Sequence, residues 1–399
     1  MRIDLVSYRT ASLASAAPSL LSEWRVGAIL QAVAVRDAAG QLWLELGDQR
    51  LPARIASGDE DGPQDGEKLQ VRVLRNHPVL ALETLSSKTA ESEAAEQTVT
   101  ADALRRFIPR QESPALMLAN LAWLAQGKNA AQLPKEVVDA AAQLWRSLPD
   151  ARALQNPAQL QAAIERSGTF LESNLAASPS GKPNPDITTD IKALMLELSR
   201  TLRDNGARPA LARSDVSAPA PLPTANGTLS SLPHSPATFS LLDTPGQQLN
   251  ELSRQTDGAL ARLTTVQLAN NAADPSNPAL LIELPVRVED RASVLRLRIE
   301  RDGASSKQEA EAQSWSVEAA MDLGSAGSLH ARVSLQGHRI AVQIRASSPS
   351  VVEALSAQRG TLESMLRNAG LEVDRVVCLH GLPATDTGVR PTRLVDVRA

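Results

Sequence analysis

Two stretches of the chain alternate hydrophobic and polar positions, one within residues 22–86 and one beyond residue 280, and helical spacing fills the part between them. In the first stretch Val26, Ala28 and Leu30 alternate, as do Leu42, Leu44 and Leu46 after an Ala39–Gly40 turn. Leu51, Ala53 and Ile55 follow, then Leu69, Val71 and Val73 after Asp65–Gly66. A last strand is expected around Leu80 and Leu82, beyond Asn76-His77-Pro78. Period-two runs cut by Gly, Asp and Pro predict five strands in a small β-barrel-like unit over 22–86. Residues 1–21 predict disorder, and 87–100 read as an acidic, alanine-rich linker.

Residues 101–205 predict helices. Ser113-Pro114, Leu133-Pro134 and Asn156-Pro157 put proline at or near a first helical position, where its missing N–H would be unpaired anyway. Val137, Val138, Ala141, Leu144, Trp145 and Leu148 keep helical spacing, as do Leu160 and Ile164. A further helix runs through Ile191, Leu194, Leu198 and Leu202 to a stop at Gly206. These stripes read as the core of a small bundle. Seven of the 25 prolines fall in 206–245 amid Ser, Ala and Thr, which predicts a linker stiffened toward polyproline II. A helix and connector over 246–280 carry Leu249, Leu252, Leu260, Leu263 and Leu268.

The segment 281–382 has the cleanest pattern. Leu295, Leu297 and Ile299 alternate with Arg296, Arg298 and Glu300, as a half-buried strand should. Trp315, Val317, Ala319, Met321 and Leu323 form a second strand. A hairpin follows, Leu329–Leu335 and His338–Ala346. With Gln336-Gly337 as its loop, Leu335 faces His338, Val333 faces Ile340, Ala331 faces Val342 and Leu329 faces Ile344. That register makes one face apolar and puts His330, Arg332, Arg339 and Arg345 on the other. A helix capped by Ser348-Pro349, or by Ser350 with Glu353, buries Val351, Leu355, Leu362, Met365 and Leu366. Gly360 is placed to bend or break it, and Gly370 closes it with Leu371 folding back. A final strand spans Leu371 to Leu379, and 383–399 is a flexible tail. The class is multidomain α+β.

Composition narrows the function. Aromatics are only 2%, so the cores rest on Leu, Val, Ile and Ala and should be modestly stable. A net charge of −4 argues against a general nucleic-acid binder, which needs a concentrated basic face. Cys378 is the only cysteine, so no intrachain disulfide forms. The start, Met1 to Leu21, lacks the basic end and continuous apolar core of a cleaved signal, and no stretch approaches the roughly 18–20 apolar residues of a membrane span. Phosphate loops, dinucleotide fingerprints, H-E-x-x-H and G-x-S-x-G are all missing from the sequence. Among the histidines only His330 and His338 lie close, and the hairpin register sends them to opposite faces, which argues against a shared metal and leaves a surface histidine and a strand-end histidine. Gly324-Ser325-Ala326-Gly327 precedes a strand rather than a helix and reads as a turn, not a phosphate cradle. No enzyme, cofactor or metal is expected.

The run Trp315-Ser-Val-Glu-Ala-Ala-Met-Asp-Leu323-Gly-Ser-Ala-Gly327-Ser-Leu329-His-Ala-Arg-Val333-Ser-Leu335 resembles the C-terminal domain of flagellar hook-length control proteins. Ile340-Ala-Val-Gln-Ile344 is similar to that family's third strand, and Leu355, Leu362, Leu366, Gly370, Leu371 and Val373 to its helix and exit into the last strand. The resemblance covers about residues 280–382, with Ile282-Glu-Leu-Pro285 leading in; Ala326 stands where the family usually has Leu. It implies an exported substrate-specificity switch. The N-terminal part, with an export signal in 1–21, senses length as a ruler. The C-terminal domain contacts the cytoplasmic domain of the export-gate switch protein (FlhB-type), and the chain also meets hook and hook-cap subunits. Such a protein starts in the cytoplasm, leaves through the flagellar type III apparatus without a cleaved signal peptide, and works as a monomer without nucleic acid or membrane insertion. Asp322, Leu323, Gly324, Gly327, His330, Arg332 and Arg339 are the candidate partner-binding residues, because loops and exposed faces on a rigid sheet carry recognition. The rival reading is a β-barrel binding module for nucleic acid or a protein ligand, with Trp24 and Trp43 as stacking platforms beside Asp59-Glu60-Asp61.

Overall fold

The structure is a computed structural model describing residues 2–5, 29–37, 41–46, 49–55, 63–75, 81–85, 99–127, 132–177, 185–208, 228–271, 279–302 and 314–383. Its described residues form helices and two sheets, an α+β protein, and its contacts divide it into two compact units, 1–100 with 274–278 and 101–273 with 279–399. Trp24 and Asp59-Glu60-Asp61 lie outside the described residues.

The first unit holds β1 (Arg2–Leu5), β2 (Ile29–Arg36), β3 (Leu42–Leu46), β4 (Gln49–Ile55), β5 (Lys68–Arg75) and β6 (Ala81–Leu85). They pair in the order β1-β4-β3-β2-β5-β6, and β1 pairs with both β4 and β6. Among the described residues, six strands stand where five are expected. The extra one comes from the segment expected to be disordered, because pairing β1 satisfies two sheet edges that would otherwise be left open. Alternation decides which side is buried: Ala32, Ala34, Leu42, Leu44, Leu46, Ala53 and Val71 form one apolar cluster.

The second unit opens with helix α1 (99–107) and continues with α2 (Pro114–Ala125), α3 (Lys135–Ser147), α4 (Pro157–Glu165), α5 (Leu171–Ala177), α6 (Ile191–Asp204) and α7 (Pro245–Asn271). The expected starts are used. Ser113 Oγ accepts from the Ala115 N–H, and Asn156 Oδ1 accepts from Ala158 and Gln159. After α7 come β7 (Ala279–Val288), β8 (Arg291–Asp302), β9 (Ser314–Asp322), β10 (Ser328–Gln336), β11 (Arg339–Ala346), α8 (Pro349–Ala357), α9 (Arg359–Asn368) and β12 (Glu372–His380). Their sheet runs β12-β11-β10-β9-β8-β7 and is antiparallel except that β11 and β12 are parallel, as a helical crossover requires.

Four expectations shift here. Met117, Leu144, Leu198 and Leu252 of the helices share one apolar cluster with Ile282, Leu284 and Leu297 of the sheet, so 101–205 and 281–382 are not separate bodies. Leu229, Leu232 and Phe239, placed in the 206–245 linker, are buried, because they supply large apolar side chains that the Pro/Ser/Ala background hides. The hairpin pairs Leu335 with Ile340 and Val333 with Val342, a slip of two residues, with Gly337 and His338 as the loop. Gly337 takes φ +59, which fits the tight turn, and an even slip leaves every side chain on its expected face. The C-terminal helix breaks at Gln358 rather than Gly360, and Met365 is 60% exposed rather than buried.

Candidate docking surface

Among the expected site residues, Asp322, Leu323, Gly324 and Gly327 come together in one turn. The Leu323 N–H donates to Gly327 O (2.9 Å) and the Gly324 N–H to Asp322 Oδ1 (2.7 Å). Gly324 and Gly327 have φ of +65° and +87°, a region costly for other residues. A Cβ on Gly327 would stand 2.3 Å from Ser347 Oγ, which itself accepts the Ser328 N–H. Glycine is therefore required by conformation and by space. Leu323 is 38% exposed at the tip, so the turn presents an apolar side chain.

Arg332 and Arg339 share one face of the sheet with His330, but at increasing distance from the turn along the hairpin. Their surroundings differ. Arg332 and Arg339 keep 52% and 67% of their side chains exposed, and Arg339 Nε lies 3.5 Å from Glu372. His330 is buried, not at the surface as expected: its Nε2 sits 3.7 Å from Glu318 Oε2.

That contact belongs to a buried group of charges that the sequence reading did not identify. Arg262 of α7 donates Nε and Nη2 to the two oxygens of Glu283 at 2.9 and 2.7 Å, and Nη1 to Gln111. Arg296 Nε lies 3.0 Å from Glu283 Oε1. One strand further, Arg298 donates to Glu318 Oε2 (2.7 Å), which also accepts the Leu229 N–H (3.3 Å). Burial pushes the Glu283 carboxyl up, but the charges and hydrogen bonds of Arg262 and Arg296 outweigh it and hold it below the usual carboxylate range. Glu318 is likewise pushed up by burial yet ends lowered, through His330, Arg298 and the Leu229 N–H. Alternation places Arg296 and Arg298 on one side of β8, as expected, but that side is covered by α7 and by residues 228–232. The available signal was the carboxylate of Glu283 inside the apolar run Leu280–Val286, which needs a buried partner.

The opposite face of β10–β12 is packed by the two C-terminal helices: Leu362, Leu366 and Leu371 lie on Val333, Ile340, Val342 and Val376. Trp43, the described aromatic of the rival reading, is engaged within its own unit. Its Nε1 donates to Asp37 Oδ2 (3.1 Å), and Arg50 stands 5.2 Å from its ring centroid.

Compared with known proteins, residues 303–386 match the family model described as "Flagellar hook-length control protein FliK". This span contains β9 to β12 with both C-terminal helices and omits β7 and β8. No curated protein and no solved structure matches the chain. The matched segment is similar to that family, and the match supports a FliK-type protein with a role in flagellar hook-length control.

Proposed function

From that premise, we propose that the chain is exported while the hook grows and ends hook-subunit export by docking its C-terminal sheet on the cytoplasmic domain of the FlhB-type export-gate switch protein. The observation that carries this reading is the coincidence of the family match, 303–386, with the part of the sheet whose Arg332 and Arg339 face stays open. The first unit and the prolines of 206–245 act as the length-sensing part, in contact with hook and hook-cap subunits. Fully extended, the chain reaches about 1,300 Å, ample for that purpose. Lacking a disulfide, it can be threaded.

Hook lengths measured by electron microscopy in a strain deleted for the gene test the role. Overlong hooks without filaments, corrected by the full chain and not by one lacking 280–382, are expected. Hooks of normal length carrying filaments in the deletion strain would refute it.

A further inference from the structure

Residues 228–232 cross the charged face of the sheet without pairing as a strand. The Leu229 N–H donates to Glu318 Oε2 (3.3 Å), the Ser230 carbonyl accepts from Arg296 Nη1 (2.5 Å), and Ser231 Oγ donates to Ser328 Oγ (2.9 Å). Leu229 seats among Val266, Leu281 and Ala320, and Leu232 is buried. The chain then rises to solvent, with Pro233, His234 and Pro236 exposed. It is anchored again at Thr238 and Phe239, whose N–H groups both donate to Oδ1 of the buried Asn120. Asn120 Nδ2 in turn donates to Thr238 Oγ1 and Gln255 Oε1, so this second anchor is fixed by several bonds.

The contrast between the two attachments is informative. The later one is a buried polar hub under Phe239, which is fully buried. The earlier one is an extended peptide whose backbone N–H and carbonyl are read by a carboxylate and a guanidinium, with one leucine in an apolar notch. This is how a groove holds a peptide ligand. Arg296, Arg298, Glu318 and His330 are all buried, with the strap bonded directly to Arg296 and Glu318, and the exposed Arg332 extends the same face to solvent.

We propose that residues 228–232 are an internal stand-in for a partner peptide. The strap swings away about 233–236, and the groove it vacates takes an extended, leucine-bearing segment of the export-gate domain. This rests on the gate reading above. Release breaks no strand pairing, and the strap precedes α7 in the chain, so tension from the N-terminal side reaches it before α7.

The test uses the full chain with Cys378→Ser, Ser231→Cys and Ser328→Cys, a reversible lock placed where two hydroxyls already touch. In the reduced chain, amides of 229–232 should exchange hydrogen at least about tenfold faster than those of α7 and β8, and oxidation should remove the difference. Affinity for the purified gate domain should fall about tenfold or more on oxidation and return on reduction. Exchange of 229–232 only with the whole unit, or equal affinity of the two redox forms, overturns the strap. Binding by neither form contradicts the gate reading and the partner named here, while the exchange rates still decide whether the strap opens.

Discussion

Two strands of the six-stranded sheet, β8 and β10, read alike in sequence and are built differently. Leu295-Arg296-Leu297-Arg298 in β8 and Ala331-Arg332-Val333 in β10 both alternate an apolar residue with arginine. Yet the β8 arginines keep only 4% and 7% of their side chains exposed, against 52% for Arg332. In β8, α7 and the strap cover the arginine face, so each guanidinium is paired with a carboxylate. In β10 that face is covered at His330 and opens at Arg332, which reaches water with its Nη1 3.5 Å from Glu318 Oε1. Alternation states which residues share a face; what lies above that face is decided by elements far away in the chain.

The largest effect should come from the covered region. Glu283→Ala strands Arg262 and Arg296 without their carboxylate and should cost about 3–5 kcal/mol in chemical denaturation of the full chain. A loss below 1 kcal/mol would mean that water reaches this network. Next is the turn. Gly327→Ala forces a Cβ against Ser347 Oγ at positive φ and should cost roughly 1–3 kcal/mol, read as a lower midpoint.

Acid should follow the same division. Glu283 and Glu318 titrate below their ordinary value of 4.5 in the folded chain, so their contribution is complete above that value and lost as pH falls through their folded pKa values. Asp190, raised by burial, pulls the other way. Denaturation midpoints measured from pH 7 down to pH 3 should therefore fall mainly below 4.5 in the wild type, with a shallower fall in Glu318→Gln. The smallest effect belongs to the open region: Arg339→Ala should change stability by no more than about 0.5 kcal/mol.

This contrast also marks how far the sequence could be read. Proline and its capping neighbours gave the starts of α2 and α4, and Gly206 and Gly370 gave helix ends, because those signals are local. The faces of the hairpin survived a two-residue register slip because the side-chain period is two. The fate of Arg296, Arg298 and His330 was not legible, since it depends on Arg262 and Leu229, whose partners are 21 and 89 positions away. The turn Asp322–Gly327 was found whole because its residues are contiguous. The strap was hidden by its setting, as Leu229 and Leu232 sit in a proline-rich stretch where composition argues for a linker.

The most direct measurement is a titration of the full chain with the cytoplasmic domain of the export-gate switch protein, comparing wild type with Arg332→Glu/Arg339→Glu. The account predicts unchanged folding and at least about a tenfold weaker, salt-sensitive affinity in the variant. Equal affinity in a folded variant would remove the open face of the sheet from the interface and contradict the account.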